Sequence, residues 1–489
     1  MSENGRRCFI VVSEGWDQGL WFDGPSNGPK WRTPDKAHGD LDGKPISWWG
    51  DATKEAVGVP LAQPIVMTGH QPTMHHPGIL VKYIALAEQM RAKQAVGVEL
   101  VIDHHVGPAG VVPIPKVVEG DDVVGDGLIR HYLPLLSLDS TVPLCWQSAQ
   151  QPKPLDTADC LATEGVANGL QLMHELLGNH LDATDAAGQL AMMTSKLRSP
   201  WVKPVQVVRA SNLLNTPIGR RLVALMYENP RSCVEAYNKA VQAWPDSKMR
   251  LLKVDASQIE LPLWKRDQSG QRIAVKIPIT GESIPELDAL LPRALVITAI
   301  SRIALADLFI HGQSGAIYDK VMEQWMNQWL GIRPAGAVAI SCTLTLPGLS
   351  VFRDKSNRGL DRLISLGHRL WHDPQRLDLQ DQGPSKHKKN FLDMIQESPW
   401  KSTQRQQKYI ELHDFLADQR QIYASRLQAT ERLSRDALAS RLETDLPAAR
   451  DWPFIFYPDE ALDSLVARVE SALGEEGAVV GRTTRSSLR

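Results

Sequence analysis

Apolar positions along the 489-residue chain follow two rhythms. Short unbroken runs bounded by Gly, Pro or acidic residues mark buried strands, and apolar residues three to four apart mark helices. Residues 64–68 form a run of the first kind ending at Gly69, and 98–102 form another ending at Asp103. Between them, 79–94 carries Ile79, Leu80, Tyr83, Ile84, Leu86, Ala87 and Met90 at helical spacing, and Gly97 stops it. Strand, helix and strand within about 40 residues predict a βαβ unit and hence a parallel sheet. The alternation continues downstream. Helical spacing covers 156–196, 212–227 and 319–330, and strand-like runs cover 205–208, 251–254 and 273–279. Residues 290–309 read as a strand plus a helix, while the Gly- and Pro-rich 107–155 read as mostly irregular. This plan predicts an α/β fold, a Rossmann-like doubly wound parallel sheet with inserted segments.

The rhythm changes after about 355, where strand-like runs vanish. From 402 to 442 there is no Gly or Pro, and Ile410, Leu412, Phe415, Leu416, Ile422, Tyr423, Leu427, Leu433, Leu438 and Leu442 recur at three- to seven-residue steps. The spacing predicts one long amphipathic helix, a coiled-coil arm that either folds back on the body or pairs with a second copy. Residues 452–473 read as a short strand or turn and a last helix. The expected division is 1–60, an irregular extension containing Trp16, Trp21, Trp31, Trp48 and Trp49; 61–354, the α/β core; 355–474, a helical region; and 475–489, a disordered tail.

Composition narrows the function classes. Hydrophobic residues are 43%, charged residues 22%, and the formal net charge is −2, so the chain has a globular make-up and lacks the basic excess of a general nucleic-acid binder. Length alone fits two to four domain-sized units at roughly 100–200 residues each. The N-terminal segment has no apolar signal core, and the most apolar stretch, 294–310, is broken by Ser301, Arg302 and Asp307, so no membrane span is expected. Cys8, Cys145, Cys160, Cys233 and Cys342 are odd in number and widely spaced, which argues for a reduced, cytoplasmic setting. One count is uneven: five of the 14 His, namely His70, His75, His76, His104 and His105, fall between positions 70 and 105.

Those His occupy positions where ligands bind. In an open parallel sheet the carboxyl ends of the strands carry the site. Gly69, His70, Gln71, His75, His76 and Gly78 lie in the turn between the first strand and its helix, with Lys82 one turn further on. Gly gives backbone N–H groups access to a phosphate, the helix N-terminus adds partial positive charge, and imidazoles donate hydrogen bonds or bind metal. Neither a P-loop nor a GxGxxG pattern is present. Asp103, His104 and His105 end the second strand, where a carboxylate beside imidazoles suits acid–base work or metal ligation. His311, Gly312, Gln313, Ser314, Gly315, Tyr318 and Asp319 form a third loop before a helix, suited to an anion or zwitterion. Weaker candidates are Arg209, Asn212 and Asn215 at another strand–helix turn, and the basic loops 355–358 and 385–389.

Three of these segments together resemble the bacillithiol-biosynthesis cysteine-adding enzyme family. Thr68, Gly69, Gln71 and Lys82 or Tyr83 stand near that family's Thr-Gly-Gln-Gln-Pro turn and following helix. Asp103 and His104 resemble part of its acidic strand end, and Gly312, Gly315 and Tyr318 its Gly-rich loop. The resemblance implies a core related to class I nucleotidyltransferases and aminoacyl-tRNA synthetases, connecting insertions, and a helical arm that dimerises. His70 stands where the family has Gln, and His75-His76-Pro77-Gly78 looks like the His-rich turn of class I nucleotidyltransferases.

The expected activity is thus that of a ligase-like enzyme that uses ATP to activate a carboxylate or an amino acid and joins it to a small amino-sugar or similar acceptor. His70, His75, His76, Asp103 and His104 would be catalytic. Gly69, Gln71, Gly78, Lys82, Gly312, Ser314 and Gly315 would hold the nucleotide, and His311, Gln313, Tyr318 and Asp319 the substrate. The expected partners are small molecules and a second copy, with no nucleic acid and no membrane. Two alternatives stand beside it: a hydrolase or transferase in which His70, His75, Asp103, His105 and His311 bind one divalent metal ion, and a non-catalytic nucleotide-binding member.

Overall fold

The structure, a computed structural model, describes residues 10–12, 18–22, 31, 35–118, 127–155, 163–279, 283–349, 369–377, 383–400, 402–441 and 446–473. The expectations for Trp16, the basic loop 355–358 and the tail 475–489 lie outside the described residues, as does the side chain of Ser314.

Strands β1 (Ile10–Val12), β2 (Gln18–Phe22), β3 (Asp40–Leu41) and β4 (Lys44–Pro45) precede helix α1 (Ile46–Ala56). The βαβ unit follows as β5 (Ile65–His70), α2 (Pro77–Lys93) and β6 (Val96–Val101). Next come β7 (Val111–Val118), β8 (Gly127–Pro134), α3 (Glu164–Gly178), α4 (Ala186–Arg198) and β9 (Gln206–Arg209). Helices α5 (Pro217–Glu228) and α6 (Pro230–Ala243) lead to β10 (Gln258–Arg266), β11 (Arg272–Pro278), β12 (Leu290–Pro292) and α7 (Ala294–Ile300). The sheet is completed by β13 (Leu308–His311), α8 (Gln313–Leu330) and β14 (Gly336–Leu344). Helices α9 (Gly383–Glu397), α10 (Thr403–Ile422), α11 (Ala424–Arg441) and α12 (Asp459–Leu473) end the described chain.

The main sheet runs β1-β2-β14-β13-β5-β6-β9. Its five strands from β14 to β9 are parallel, and β2 and β1 add an antiparallel edge. Counted along the chain, the parallel strands stand in the order five-four-one-two-three, so the direction of winding reverses between β5 and β13. Alternate side chains feed two cores: Val66, Leu308 and Ile310 pack into one, and Ile65, Met67 and Phe309 into the other. Helices cover both faces, as a sheet with apolar residues on both sides requires. Helix α2 is buried on nearly every side between the sheet and α12, and its apolar residues accordingly do not form a single stripe.

The structure corrects three readings. Residues 111–118 and 127–134 pair as a hairpin in full register, although Pro113 and Pro115 read as breakers; a two-stranded ribbon has free edges that tolerate Pro. Residues 251–254 form no strand beyond a single bridge from Val254 to Ile259. The predicted unbroken 402–442 helix stops at Tyr423. Helices α9 and α10 pack on each other through Ile395, Leu412 and Leu416, whereas α11 lies along β8, with His131 Nδ1 2.9 Å from Asp436 Oδ2. Tertiary contact on β8 overrides a helical propensity that has no local breaker.

Residues 446–473 return to the α/β body. Trp452, Phe454, Phe456, Leu462 and Leu465 are buried in the same core as α2, and the Tyr457 hydroxyl donates to Leu344 O at 3.1 Å. Trp452 is fully buried, so Trp452→Ala is expected to lower the unfolding free energy by about 3–5 kcal/mol. Denaturant titration measures this, and a loss near zero would mean that the segment does not dock.

Candidate active site

The turn after β5 is built around backbone closeness and burial. A Cβ on Gly69 would sit 2.7 Å from Leu100 O, so only glycine lets β5 lie this close to β6 here. Helix α2 then starts at Pro77, where the fixed proline φ suits a first helical position. His76 is its cap: Nδ1 accepts from Gly78 N at 3.0 Å. His70 Nδ1 and His75 Nε2 both donate to Gln71 O, at 3.1 and 3.3 Å, which fixes their tautomers. The His70 ring meets His75 edge-on at 5.2 Å, and His75 stacks on Tyr83 at 5.7 Å. His75 Nδ1 is buried and has no hydrogen-bond partner among the described residues.

Lys82 lies beneath this turn. It is 4% exposed, donates from Nζ to Gly69 O at 2.7 Å, and passes 3.8 Å from the position a Cβ on Gly312 would take. It therefore spans the reversal point between β5 and β13. Burial pushes its pKa down to about 7, against the pull of Glu99. Among the described residues Lys82 forms no ion pair with a carboxylate. Glu99 accepts instead from Tyr83 Oη at 2.9 Å and from Arg198. Burial is also the main reason His70, His75 and His76 are held neutral, with the Lys82 charge adding to it at each; His76 falls to about 3.

The third segment places His311 at the end of β13 with Nε2 2.5 Å from Asp319 Oδ2. Asp319 also accepts from Arg302 Nη1 at 2.6 Å. A Cβ on Gly315 would lie 2.6 Å from His311 Nδ1, so this glycine is what admits the imidazole. Among the described side chains none caps helix α8, and its first turn has no acidic residue, so its N-terminal N–H groups keep their partial positive charge. Tyr318, expected beside them, is 41% exposed.

Sequence reasoning missed Arg450. Its Nη2 donates to Ser341 Oγ at 2.5 Å and its Nη1 to Gln313 Oε1 at 3.4 Å, and its guanidinium lies 2.8 Å from a Cβ placed on Gly78. Phe454 N also donates to His75 O at 2.8 Å. The aromatic run from Trp452 to Phe456 was the available signal: such a run docks, and docking carries the adjacent Arg450 to the α2 and α8 N-termini. No protein-family model matches the chain, and no curated protein matches it either.

Asp103, at the end of β6, is fully buried. Its carboxylate accepts from Ser211 N at 2.9 Å, Ser211 Oγ at 2.5 Å and Arg209 Nε at 2.8 Å, while Arg209 also reaches Asp185. Burial pushes this carboxyl up, but His104, Ser211 and Arg209 outweigh it and bring it down to about 2. A carboxylate so committed anchors the end of β6 to β9. His104 Nε2 donates to Pro292 O at 2.9 Å, tying β6 to β12. Asn215 Nδ2 donates to Asp288 at 2.7 Å. The loop 385–389 opens α9, outside the main sheet. Among the described residues no group of three or more His, Cys, Asp or Glu side chains is gathered as a metal ion would require, so His70, His75, Asp103, His105 and His311 do not form one. No helix of the described residues is long and apolar enough to cross a membrane.

His76 gives the turn a definite pH response. An unfolded His takes up a proton near 6.5, whereas the folded His76 resists it down to about 3. In that window the unfolded state binds more protons, so this contribution to stability is lost as the pH falls from 6.5 towards 3. Across it, the wild type is expected to lose up to about 1.4 kcal/mol per pH unit relative to His76→Gln. Denaturant titrations at several pH values read the difference; parallel curves would overturn the neutral-cap assignment.

Proposed function

We propose that the crevice between β5 and β13 binds the phosphate groups of a nucleotide, and that the protein is a ligase-like enzyme of the cysteine-adding type on a Rossmann-like core. The observation that carries this reading is that Lys82 and Arg450, neither of which pairs with a carboxylate among the described residues, both reach the start of α8 at the point where strand order reverses. Such a site offers point charge, a planar guanidinium and backbone N–H groups together, a combination suited to phosphate. ATP, when bound, would supply the leaving group that activates a carboxylate.

The chain's own residues have separate tasks. Arg450 and the first N–H groups of α8 bind the anion. Lys82, with a pKa brought to about 7, gives a positive charge that is divided between charged and neutral forms near neutrality. His70, His75 and His76 act as neutral imidazoles, so they orient groups by hydrogen bonding rather than by charge. His75 Nδ1 offers an open acceptor for a proton from an amine or a hydroxyl group. His311, paired with Asp319, is placed to orient the acceptor, an amino-sugar or similar small molecule. The cytoplasm is the expected setting. A homodimer would use the outer side of α9 and α10, where Tyr409, Ile410 and Ile422 are exposed, because α11 is engaged with β8.

Arg450→Gln is expected to weaken ATP binding at least about tenfold, since hydrogen bonds to a charged group are worth about 1.5–3 kcal/mol. Calorimetric titration of wild type and variant measures it. Unchanged affinity, or no ATP binding by the wild type, would sink the reading.

A further inference from the structure

A second cluster of positive charge lies outside the crevice, on the separate three-stranded sheet β11-β10-β12. Arg266 of β10 and Arg272 of β11 are directly opposite each other in the antiparallel register, on the same face as Trp264. Like charges in this relation destabilise a sheet unless something offsets them. Nothing among the described residues does so: neither arginine pairs with a carboxylate, and Arg272 donates only to the backbone, from Nη1 to His104 O at 3.1 Å. The nearby Glu260 is taken by Arg250 and Arg293.

Aromatic faces set the direction of both guanidinium groups. Arg272 lies 5.0 Å from the Trp264 ring centre, and Arg293 lies 3.9 Å from the same ring. Arg266 lies 5.1 Å from Trp146. Trp146 belongs to a segment that folds over the end of β6, with Leu144 N donating to His105 O at 3.1 Å and Cys145 N to Asp103 O at 2.9 Å. The two arginines therefore face the loop that carries His104 and His105, on the carboxyl edge of the main sheet. Burial and the Arg272 charge keep His105 neutral, so it adds hydrogen-bonding capacity without cancelling an anion. Stacking on a ring leaves the edge of a guanidinium open for bidentate bonding to a pair of oxygens.

We propose that Arg266 and Arg272, with His105, form a second anion subsite that takes a carboxylate or phosphate group of a small substrate. It deepens the reading above by placing an acidic group on the acceptor, but it rests on different residues. An oxyanion there offsets the cross-strand repulsion and uses the donors that the chain leaves open.

The test is calorimetric titration of the full chain with succinate and, separately, with inorganic phosphate, in wild type, Arg272→Gln and Arg266→Gln. Saturable binding of one of the two by the wild type is expected, and which one binds identifies the oxyanion. Each substitution should weaken it by about tenfold or more. No binding of either anion, or isotherms for succinate and phosphate that neither substitution changes, overturns the subsite. ATP titration of the wild type runs alongside. Anion binding without ATP binding would fail the nucleotide reading and keep the subsite, and the opposite pattern would do the reverse.

Discussion

The crevice depends on one buried lysine that meets no carboxylate partner among the described residues. Lys82 Nζ reaches Gly69 O across the turn, and its side chain runs between the ends of β5 and β13. A buried ammonium with a single hydrogen bond to a carbonyl is costly. The fold tolerates it because Glu99 lies close enough to favour the charged form, while Tyr83 and Arg198 occupy the oxygens of Glu99 and prevent a closed ion pair. The charge so retained disfavours protonation of His70, His75 and His76. Burial remains the larger cause at each imidazole, and the Lys82 charge reinforces it.

The βαβ unit was legible because its signals are local. Apolar runs ending at Gly69 and Asp103, with a 3.6-period segment between them, leave few other structures. The order of the parallel strands was not legible, since pairing of β13 with β5 joins residues some 240 positions apart, as the bond from Thr68 Oγ1 to Ile310 O illustrates. The His-rich turn was visible as composition, but the roles within it were not. His76 became a cap and His75 a stacking partner of Tyr83 through contacts that spacing does not encode. Arg450 was hidden for a related reason: it reaches the crevice only because Trp452 and Phe454 dock in the core. The break at Tyr423 has no Gly or Pro to announce it, and follows from the seat of α11 on β8.

The acidic residues beneath the carboxyl edge have a common fate. Glu99 is held by Arg198, Asp103 by Arg209, and Asp319 by Arg302. Each pair joins different elements and is deeply buried on the carboxylate side. Buried ion pairs contribute little net stability but are expensive to break from one side, so they fix geometry more than they add free energy. A sequence reading naturally assigns such carboxylates to acid–base chemistry. Their partners show them acting as fasteners for β6, β9 and α8.

That use of the acids decides the electrostatics of the edge. With the carboxylates committed to arginines inside, Lys82, Arg450, Arg266 and Arg272 remain as cations that no side-chain carboxylate meets among the described residues. A chain of net charge −2 therefore presents a locally positive edge without a basic surface overall. Field of this kind is concentrated where the wall is of low dielectric, and acts at short range on a small anion rather than at long range on a polymer. The two groups of cations belong to different elements: Lys82 to α2 and Arg450 to the docked C-terminal segment, Arg266 and Arg272 to the separate three-stranded sheet.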